Sequence, residues 1–411
     1  MNILYIACSC SPDYGSEDAI GWNIPLESVR KGNSVTVIVR SGLKKSIMGW
    51  IEKHPNDVFP EFYFIETSLL LDKIAKRSLY TLRLYEFASK ALRLAEELNR
   101  KKKYDIIHQI TPVEFRSIGN YGKIPNVKFV VGPIAGGQKI KPALWNYVYN
   151  RKIEQLRILV NNITILNPSY RRKIKKADAI LFANEETRDY FKKNTLATGE
   201  EILLPEIGVS KPEEDQGNND KVSIPIFLMV GRLIPIKGFD IVLDALKYIE
   251  EGDFKIRICG DGELYETLEK RINNENLSEV VELVGFVDYH KMKEEYKNAT
   301  ALIMPSLREA TGTVLVEAML QGIPVITFDQ FGAHLILDEE SGWTVSIEET
   351  TEACVLGIAN AMKEVINDPI TAKRKGVCAA NRILRYTWNK KFKVYESVYK
   401  NVLEHGMGEE R

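Results

Sequence analysis

The sequence predicts an α/β protein with two domains, each built around a doubly wound parallel sheet. The chain has 411 residues, more than one hydrophobic core normally organises. Apolar, strand-like runs alternate with amphipathic, helix-like segments, and this alternation occurs twice. A polar stretch containing Gly and Pro, residues 210–220, separates the two series. Such alternation is typical of βαβ units, in which neighbouring strands run parallel.

We therefore expect a first domain at residues 1–212 and a second at residues 213–386. The pattern over Trp388–Glu404 is amphipathic, so residues 387–411 are expected to form a helix that packs on the first domain. In the first domain, the predicted strands are Asn2–Ala7, Ser34–Val39, Glu61–Glu66, Ile106–Ile110, Val127–Val131 and Ala179–Phe182. In the second domain, they are Ile226–Val230, Lys255–Cys259, Val280–Leu283, Ala301–Met304 and Pro324–Phe328.

The composition is that of a globular protein, with 45% hydrophobic and 27% charged residues. The net charge is zero, but residues 1–200 carry 32 Lys and Arg against 20 Asp and Glu. The rest of the chain has the opposite balance. A basic half suggests a negatively charged partner, although solvated surface lysines would give the same count.

Other features bound the class of protein. No apolar run reaches the roughly 18 residues that span a bilayer, and the N-terminal run is expected to be a first strand and not a signal peptide. Five cysteines without metal-ligand spacing favour reduced thiols in the cytoplasm. No nucleic-acid-binding module is visible, so we expect no nucleic-acid partner. The basic and aromatic residues 139–176 fit either interdomain helices or peripheral contact with an anionic membrane, on its inner face.

The stretch Pro305–Pro324 carries the clearest chemical signal. Glu309 and Glu317 lie eight residues apart, separated by a turn of small residues and the start of an apolar helix. A strand–turn–helix connection in a parallel sheet offers backbone N–H groups to an anion. Carboxylates repel phosphate but accept hydrogen bonds from hydroxyl groups. The stretch therefore predicts a nucleotide-sugar site, with the two glutamates on hydroxyl groups.

Two cations are expected at the same edge of the second sheet. The predicted strand before them ends at Gly231, which places Arg232 and Lys237 in the loop at its carboxyl end. Arg offers a fork of donors and Lys a mobile charge, and this pair suits a diphosphate. Alone, the two residues would fit a solvated loop equally well. Beside Glu309 and Glu317 they favour a binding site.

Further candidates lie at other strand ends. Phe286 follows a strand whose backbone groups would line the nucleotide base. Gly15 and Ser16 open the first helix, where N–H groups would meet a phosphate. His108 lies near a strand end and is a candidate active-site residue, although a lone histidine there is often structural. The sequence has no P-loop, no dinucleotide fingerprint and no metal-ligand spacing, so we predict no metal and no cofactor besides a donor nucleotide.

Taken together, these motifs resemble the retaining glycosyltransferases of the GT-B fold, family 4. The resemblance rests on GRL and KG within residues 231–238, on SxxE followed eight residues later by a second Glu, and on AMxxGxPVI at residues 318–326. A second similarity, to members that assemble surface polysaccharides, rests on GSEDAIGWN, DIIHQIT and GPIAGGQ. The resemblance implies two Rossmann-like domains that face a central cleft.

The resemblance also implies a role for each matching residue. Glu309 would hold hydroxyl groups of the donor hexose, and Glu317 those of the ribose. Arg232 and Lys237 would carry the diphosphate as it leaves. Sugar and phosphate would meet the backbone N–H groups of Thr311, Gly312, Thr313 and Val314.

Two positions depart from the family pattern. Many members carry HxH at a strand end of the first domain, but Ile110 stands here at the second position. Either His108 serves instead or the site has shifted. Thr311 replaces the aromatic residue of the usual EGFG turn, which leaves the donor hexose unspecified.

The expected function is transfer of a hexose from a UDP- or GDP-type donor to a saccharide or lipid-linked acceptor. The family implies retention of configuration by front-face attack, without a metal. A GT-B nucleotide-sugar epimerase and a non-catalytic GT-B scaffold are the alternatives. The set of Arg232, Lys237, Glu309 and Glu317 disfavours both, because an epimerase does not use it and a scaffold does not need it.

Overall fold

The protein is described by a computed structural model that covers residues 1–406 except 14, 68–79, 195, 197–198, 212–223 and 251. These residues form two compact units. Unit 1 comprises Met1–Gln138, Leu159–Gly208 and the chain from Tyr386 onward, and unit 2 comprises Lys139–Ile158 and Val209–Arg385. Most of the predicted linker lies outside the described residues. Residues 139–158 group with unit 2 because their apolar side chains, including Leu144 and Tyr147, join its core.

Unit 1 contains a seven-stranded parallel sheet. Its order is β3-β2-β1-β4-β5-β6-β7, so the strand order reverses between β1 and β4. The strands are β1 (Asn2–Ala7), β2 (Ser34–Arg40), β3 (Glu61–Ile65), β4 (Ile106–Thr111), β5 (Lys128–Ile134), β6 (Ala179–Phe182) and β7 (Glu200–Leu203). The helices are α1 (Glu17–Arg30), α2 (Lys44–Lys53), α3 (Tyr80–Lys102), α4 (Arg151–Leu166), α5 (Pro168–Ile174) and α6 (Glu185–Lys193). Helix α4 begins within unit 2 and ends within unit 1.

Unit 2 contains a six-stranded parallel sheet with the order β10-β9-β8-β11-β12-β13. The strands are β8 (Ile226–Val230), β9 (Lys255–Cys259), β10 (Val281–Gly285), β11 (Ala301–Met304), β12 (Val325–Phe328) and β13 (Gly342–Val345). The helices are α7 (Phe239–Ala245), α8 (Tyr265–Asn274), α9 (Tyr289–Asn298), α10 (Thr313–Leu320), α11 (Phe331–Ile336), α12 (Thr351–Asn367) and α13 (Pro369–Ile383). Here the strand order reverses between β8 and β11.

The C-terminal helix, α14 (Trp388–Gly406), packs on α1 of unit 1. The side-chain amide of Asn389 donates to Glu27 at 3.2 Å. The indole of Trp388 lies against Gly208, where no larger residue would fit. This helix therefore completes the apolar packing of unit 1 although the chain reaches it only after the second sheet.

The sheets contain two strands that the sequence patterns do not indicate, β7 and β13. Both are edge strands of four residues. β7 is half-buried along its length and begins with two glutamates, so it lacks the apolar run of a central strand. Helices α2, α12 and α13 were also not predicted. No helix among the described residues is long and apolar enough to cross a membrane.

Candidate active site

The candidate site of unit 2 lies at the carboxyl ends of β8 and β11. The order of the strands reverses between these two strands. A crevice for ligands forms at such a switch point in open α/β sheets. The loop with Arg232 and Lys237 follows β8, and the loop with Glu309 follows β11. The topology thus brings the predicted cations and the first predicted carboxylate to one crevice.

Close backbone contacts hold these two loops together. The amide of Leu307 donates to the carbonyl of Ile236 at 2.8 Å. Gly238 has φ of +75°, and a Cβ there would overlap the carbonyl oxygen of Pro305. Glycine at position 238 is therefore required both by the backbone conformation and by the approach of the second loop.

Lys237 and Glu309 form an ion pair through Nζ and Oε2. Their side chains are 20% and 23% exposed, so the pair is accessible but largely shielded from water. The contact fixes two long side chains at the edge of the crevice. Arg232 lies in the same loop as Lys237 and is exposed. The cation predicted to hold a diphosphate is thus paired with the carboxylate predicted to hold a hexose.

Glu317 lies one to two turns into α10 and is half-buried. The hydroxyl group of Tyr296, on α9, donates to its Oε2 at 2.8 Å. Burial raises the pKa of Glu317, and the hydrogen bond from Tyr296 acts in the opposite direction. Tyr296 is a site residue that the sequence motifs did not reveal, because it lies on the helix before β11 and outside every motif.

The turn before α10 presents the predicted backbone donors. Gly312 caps the helix with φ of +99°, and Thr313 and Val314 form its first turn and are half-buried. That first turn contains no acidic residue, so no side chain neutralises its N–H groups. Thr311 is fully buried, with its side chain against Gly332, so its backbone N–H as a donor to a ligand stays a prediction.

Two buried oxygen atoms beside this turn lack hydrogen-bond partners among the described residues. They are Oγ of Ser306 and Oε1 of Gln330. The side-chain amide of Gln330 donates to the carbonyl of Ser306 at 2.9 Å, so the two residues are neighbours. Unpaired buried polar atoms are rare in folded proteins and are often satisfied by water or ligand. Gln330 follows β12 and was not predicted, since no motif includes it.

Phe286 lies at the carboxyl end of β10. In the sheet, β9 separates β10 from β8, the strand at the switch point. Its side chain is 78% exposed, which is unusual for a phenylalanine. The loops after β8, β9 and β10 are connected, because Gly231 donates to Cys259 at 3.0 Å and Gly260 donates to Gly285 at 2.7 Å. Phe286 therefore belongs to the same sheet edge as Arg232.

The candidate phosphate-binding residues of unit 1, Gly15 and Ser16, lie beside acidic side chains. Gly15 and Ser16 are exposed at the start of α1, but the first turn of that helix carries Glu17 and Asp18. Two carboxyl groups at a helix N-terminus compete with an anion for its N–H groups. Burial raises the pKa of Glu17 to about 7. Gly15 and Ser16 as a phosphate site thus remain a prediction.

The expected position of His108 at the ligand edge of the first sheet is wrong. It is the third residue of β4 and fully buried, with Nε2 2.7 Å from the carbonyl oxygen of Gly132 and Nδ1 2.6 Å from the hydroxyl of Tyr399. A carbonyl only accepts, so Nε2 carries the proton and Tyr399 donates to Nδ1. Burial lowers the pKa of His108 to about 3. This geometry describes a neutral structural histidine.

The described residues contain no group of three or more His, Cys, Asp or Glu side chains arranged to hold a metal ion. The groups that the structure gathers near the switch point are the loop with Arg232 and Lys237, the N-terminus of α10, and the carboxylates of Glu309 and Glu317.

The fold of the whole chain is that of the GT-B glycosyltransferases. The structure is similar to sucrose-phosphate synthase from Thermosynechococcus elongatus, with a TM-score of 0.66 and 18% identity over 98% of this chain and 100% of that one. It is also similar to Anabaena HepE in complex with UDP-glucose, with a TM-score of 0.60 and 17% identity over 97% of this chain and 99% of that one. The predicted fold class is confirmed.

Within that fold class, residues 210–377 match the family model of glycosyl transferases group 1. The amylovoran biosynthesis glycosyltransferase AmsK of Erwinia amylovora is 27% identical over 199 residues, which are 46% of this chain and 49% of AmsK. The chain spans about half the length of the curated relatives it matches. The group 1 match covers every motif of unit 2 from which the resemblance to GT-B glycosyltransferases was drawn.

Proposed function

We propose that this protein transfers a hexose from a nucleotide-diphosphate donor to a saccharide or lipid-linked acceptor, with retention of anomeric configuration. The observation that carries the proposal is the contact between Lys237 and Glu309, which joins the two loops of the switch point. In this proposal, Lys237 is the cation for the departing diphosphate, and Glu309 beside it is the hydroxyl acceptor for the hexose. The similarity to a protein whose structure holds UDP-glucose supports a nucleotide-sugar donor.

In this proposal, each part of the donor has its own partner. Glu317 accepts hydrogen bonds from the ribose, and Arg232 and Lys237 neutralise the diphosphate. Preorganised donors of this kind stabilise a developing charge by about 3 kcal/mol each. The protein thus needs neither a metal ion nor a further cofactor for leaving-group departure. The acceptor hydroxyl attacks from the side on which the diphosphate leaves, and we place acceptor binding in unit 1.

Calorimetry with UDP, GDP and their hexose derivatives tests the donor site. Lys237→Ala and Glu317→Ala are each expected to weaken binding by about tenfold to a hundredfold, because each removes a charge-assisted contact. Matched controls in unit 2 are Lys247→Ala and Glu282→Gln, whose side chains are about 60% exposed and also ion-paired. The controls should bind as the wild type does. Equal binding by all four variants would refute the site.

Glu309→Gln distinguishes the contribution of the sugar to donor binding from that of the nucleotide. We expect this variant to bind the nucleoside diphosphate at least as well as the wild type, because Lys237 loses its competing partner. The nucleotide sugar should lose affinity instead, together with transfer activity. Product analysis by NMR then decides between retention and inversion, and a chelator added to the assay examines the metal requirement.

A further inference from the structure

Helix α4 has an outward face that is apolar along its whole length. The exposed fractions of its large apolar side chains lie between 38% and 65%, and they belong to Ile153, Leu156, Leu159, Val160, Ile163 and Leu166. Spacings of three and four residues place them on one side of the helix. They account for six of the 17 exposed large hydrophobic side chains among the described residues. Single exposed apolar residues are ordinary, but such a concentration indicates a contact surface.

The fold itself does not need this face. The opposite side of α4 is the one that packs, with Asn161 and Ile165 buried. The side-chain amide of Asn161 donates to the carbonyl of Gly136 at 2.9 Å, and Ile165 joins the core of unit 1. The helix is therefore anchored by its inner side, and its outer apolar side is left exposed by the residues that the structure describes.

The charge of the sequence in and beside α4 indicates what the partner of this face is. Residues 139–176 contain ten Lys and Arg but one acidic residue, Glu154. Glu154 is buried and accepts hydrogen bonds from Arg157 at 2.6 to 3.1 Å, so it does not offset the outer charge. Exposed cations follow α4 closely, at Arg172, Lys175 and Lys176. A second copy of this chain would bring the same positive charge to the contact, whereas an anionic surface complements it.

We propose that the outward face of α4 docks on the surface of an anionic lipid bilayer. An amphipathic helix of this kind lies in the plane of the interface, with its apolar side in the acyl boundary and its cations at the phosphate headgroups. Its 16 residues extend about 24 Å along the surface. The docking surface is defined by the six apolar residues and the basic run 171–176. It is separate from the donor site and does not depend on it.

Flotation with lipid vesicles tests this proposal on the full chain. The wild type is expected to float with vesicles that contain phosphatidylglycerol and to stay behind with pure phosphatidylcholine. Leu159→Ser combined with Ile163→Ser should reduce the bound fraction by about tenfold, as should Lys175→Glu combined with Lys176→Glu. Both pairs replace exposed or solvent-facing groups, so the fold should persist, and UDP binding measured in parallel confirms it.

Matched controls lie elsewhere on the chain. Ile370→Ser with Val377→Ser removes two apolar residues of α13 that are 82% and 56% exposed, and Lys390→Glu with Lys393→Glu reverses two exposed charges of α14. These controls should float as the wild type does. Flotation of the α4 variants at the wild-type level would overturn the proposal. So would wild-type protein that ignores anionic vesicles but forms a dimer that Leu159→Ser with Ile163→Ser dissociates.

Discussion

At the scale of single residues, Glu317 shows how a carboxylate is kept as a hydrogen-bond acceptor in a poorly hydrated place. Burial favours its protonated form, and a protonated carboxyl group is a poorer acceptor for ribose hydroxyl groups. The hydroxyl of Tyr296 donates to the carboxylate and favours the charged form. In the proposed donor site, Tyr296 would act on the donor through Glu317, as a positioning residue.

This relation predicts a pH effect on donor affinity. The pKa of Glu317 is raised, so its charge, and with it donor binding, is lost at a higher pH than for an exposed glutamate. Tyr296→Phe removes the opposing hydrogen bond and should shift the acid limb of the affinity profile to still higher pH. Affinity at pH 7 should fall by up to about tenfold, since such a bond contributes roughly 1 kcal/mol. Calorimetry across pH measures both changes.

Tyr248→Phe is the matched control, because Tyr248 also donates to a glutamate, Glu352, but on the surface of unit 2. It should leave the profile unchanged. If the acid limb of the affinity profile did not shift in Tyr296→Phe, then either Glu317 would not bind the donor or Tyr296 would not influence Glu317.

At the scale of elements, a buried chain of hydrogen bonds connects α14 to the first sheet. Tyr5 on β1 bonds to Tyr399 on α14 at 3.1 Å, Tyr399 donates to His108 on β4, and His108 donates to Gly132 on β5. Because the carbonyl of Gly132 can only accept, His108 must donate to it through Nε2 and accept from Tyr399 at Nδ1. Protonation of His108 would break the chain, because Tyr399 could no longer donate to Nδ1.

The chain predicts a pH dependence of stability. The pKa of His108 is about 3 in the fold and about 6.5 when unfolded, so below pH 6.5 the unfolded state gains a proton that the folded state does not. The free energy of unfolding should therefore fall by up to about 1.4 kcal/mol per pH unit from pH 6.5 toward pH 3. His108→Leu should cost about 1 to 3 kcal/mol at pH 7 and flatten this slope, as denaturant titrations would show.

His290→Gln, at an exposed position of α9, removes a histidine without touching the chain and should retain the slope. Donor binding should survive in both variants. If His108→Leu kept its stability but lost sugar transfer, His108 would be a site residue after all, and the structural role would be refuted.

At the scale of the whole molecule, the two units differ from the two halves of the sequence. Residues 139–158 belong to unit 2, and α14 belongs to unit 1. The buried amino group of Lys391 contacts the carbonyl oxygens of Pro205 and Ile207, so the start of α14 is attached to the segment where the chain leaves unit 1. The C-terminus therefore stabilises the unit in which the chain begins.

Trp388→Ala tests this assignment. The indole is 7% exposed and covers Gly208, so its loss should cost about 3 to 5 kcal/mol. Hydrogen exchange should accelerate in β1, β4 and β5 but not in the strands of unit 2. Val394→Ala, on an exposed position of the same helix, should change neither. Faster exchange in β8 and β11 would show that α14 supports unit 2 instead.

The sequence indicated the central strands and the chemistry of unit 2 for identifiable reasons. Strands such as β6 and β11 are buried along their whole length and give uninterrupted apolar runs, whereas the edge strands β7 and β13 do not. Arg232, Lys237, Glu309 and Glu317 were recognisable because their loops follow such strands directly. Tyr296 and Gln330 were not recognisable, because they come close to the site through the order of the strands in the sheet and not through their spacing along the chain.

By itself, the sequence determined the fold class, the repeated βαβ pattern and the set of charged residues at one sheet edge, because periodicity and strand ends are local properties. Only the tertiary structure decided that His108 is a neutral, buried structural residue, that Tyr296 donates a hydrogen bond to Glu317 and that one side of α4 faces outward. The burial of a side chain depends on what the rest of the chain places around it. In this protein the residues that surround a buried side chain are often distant in the sequence, as Tyr399 is from His108.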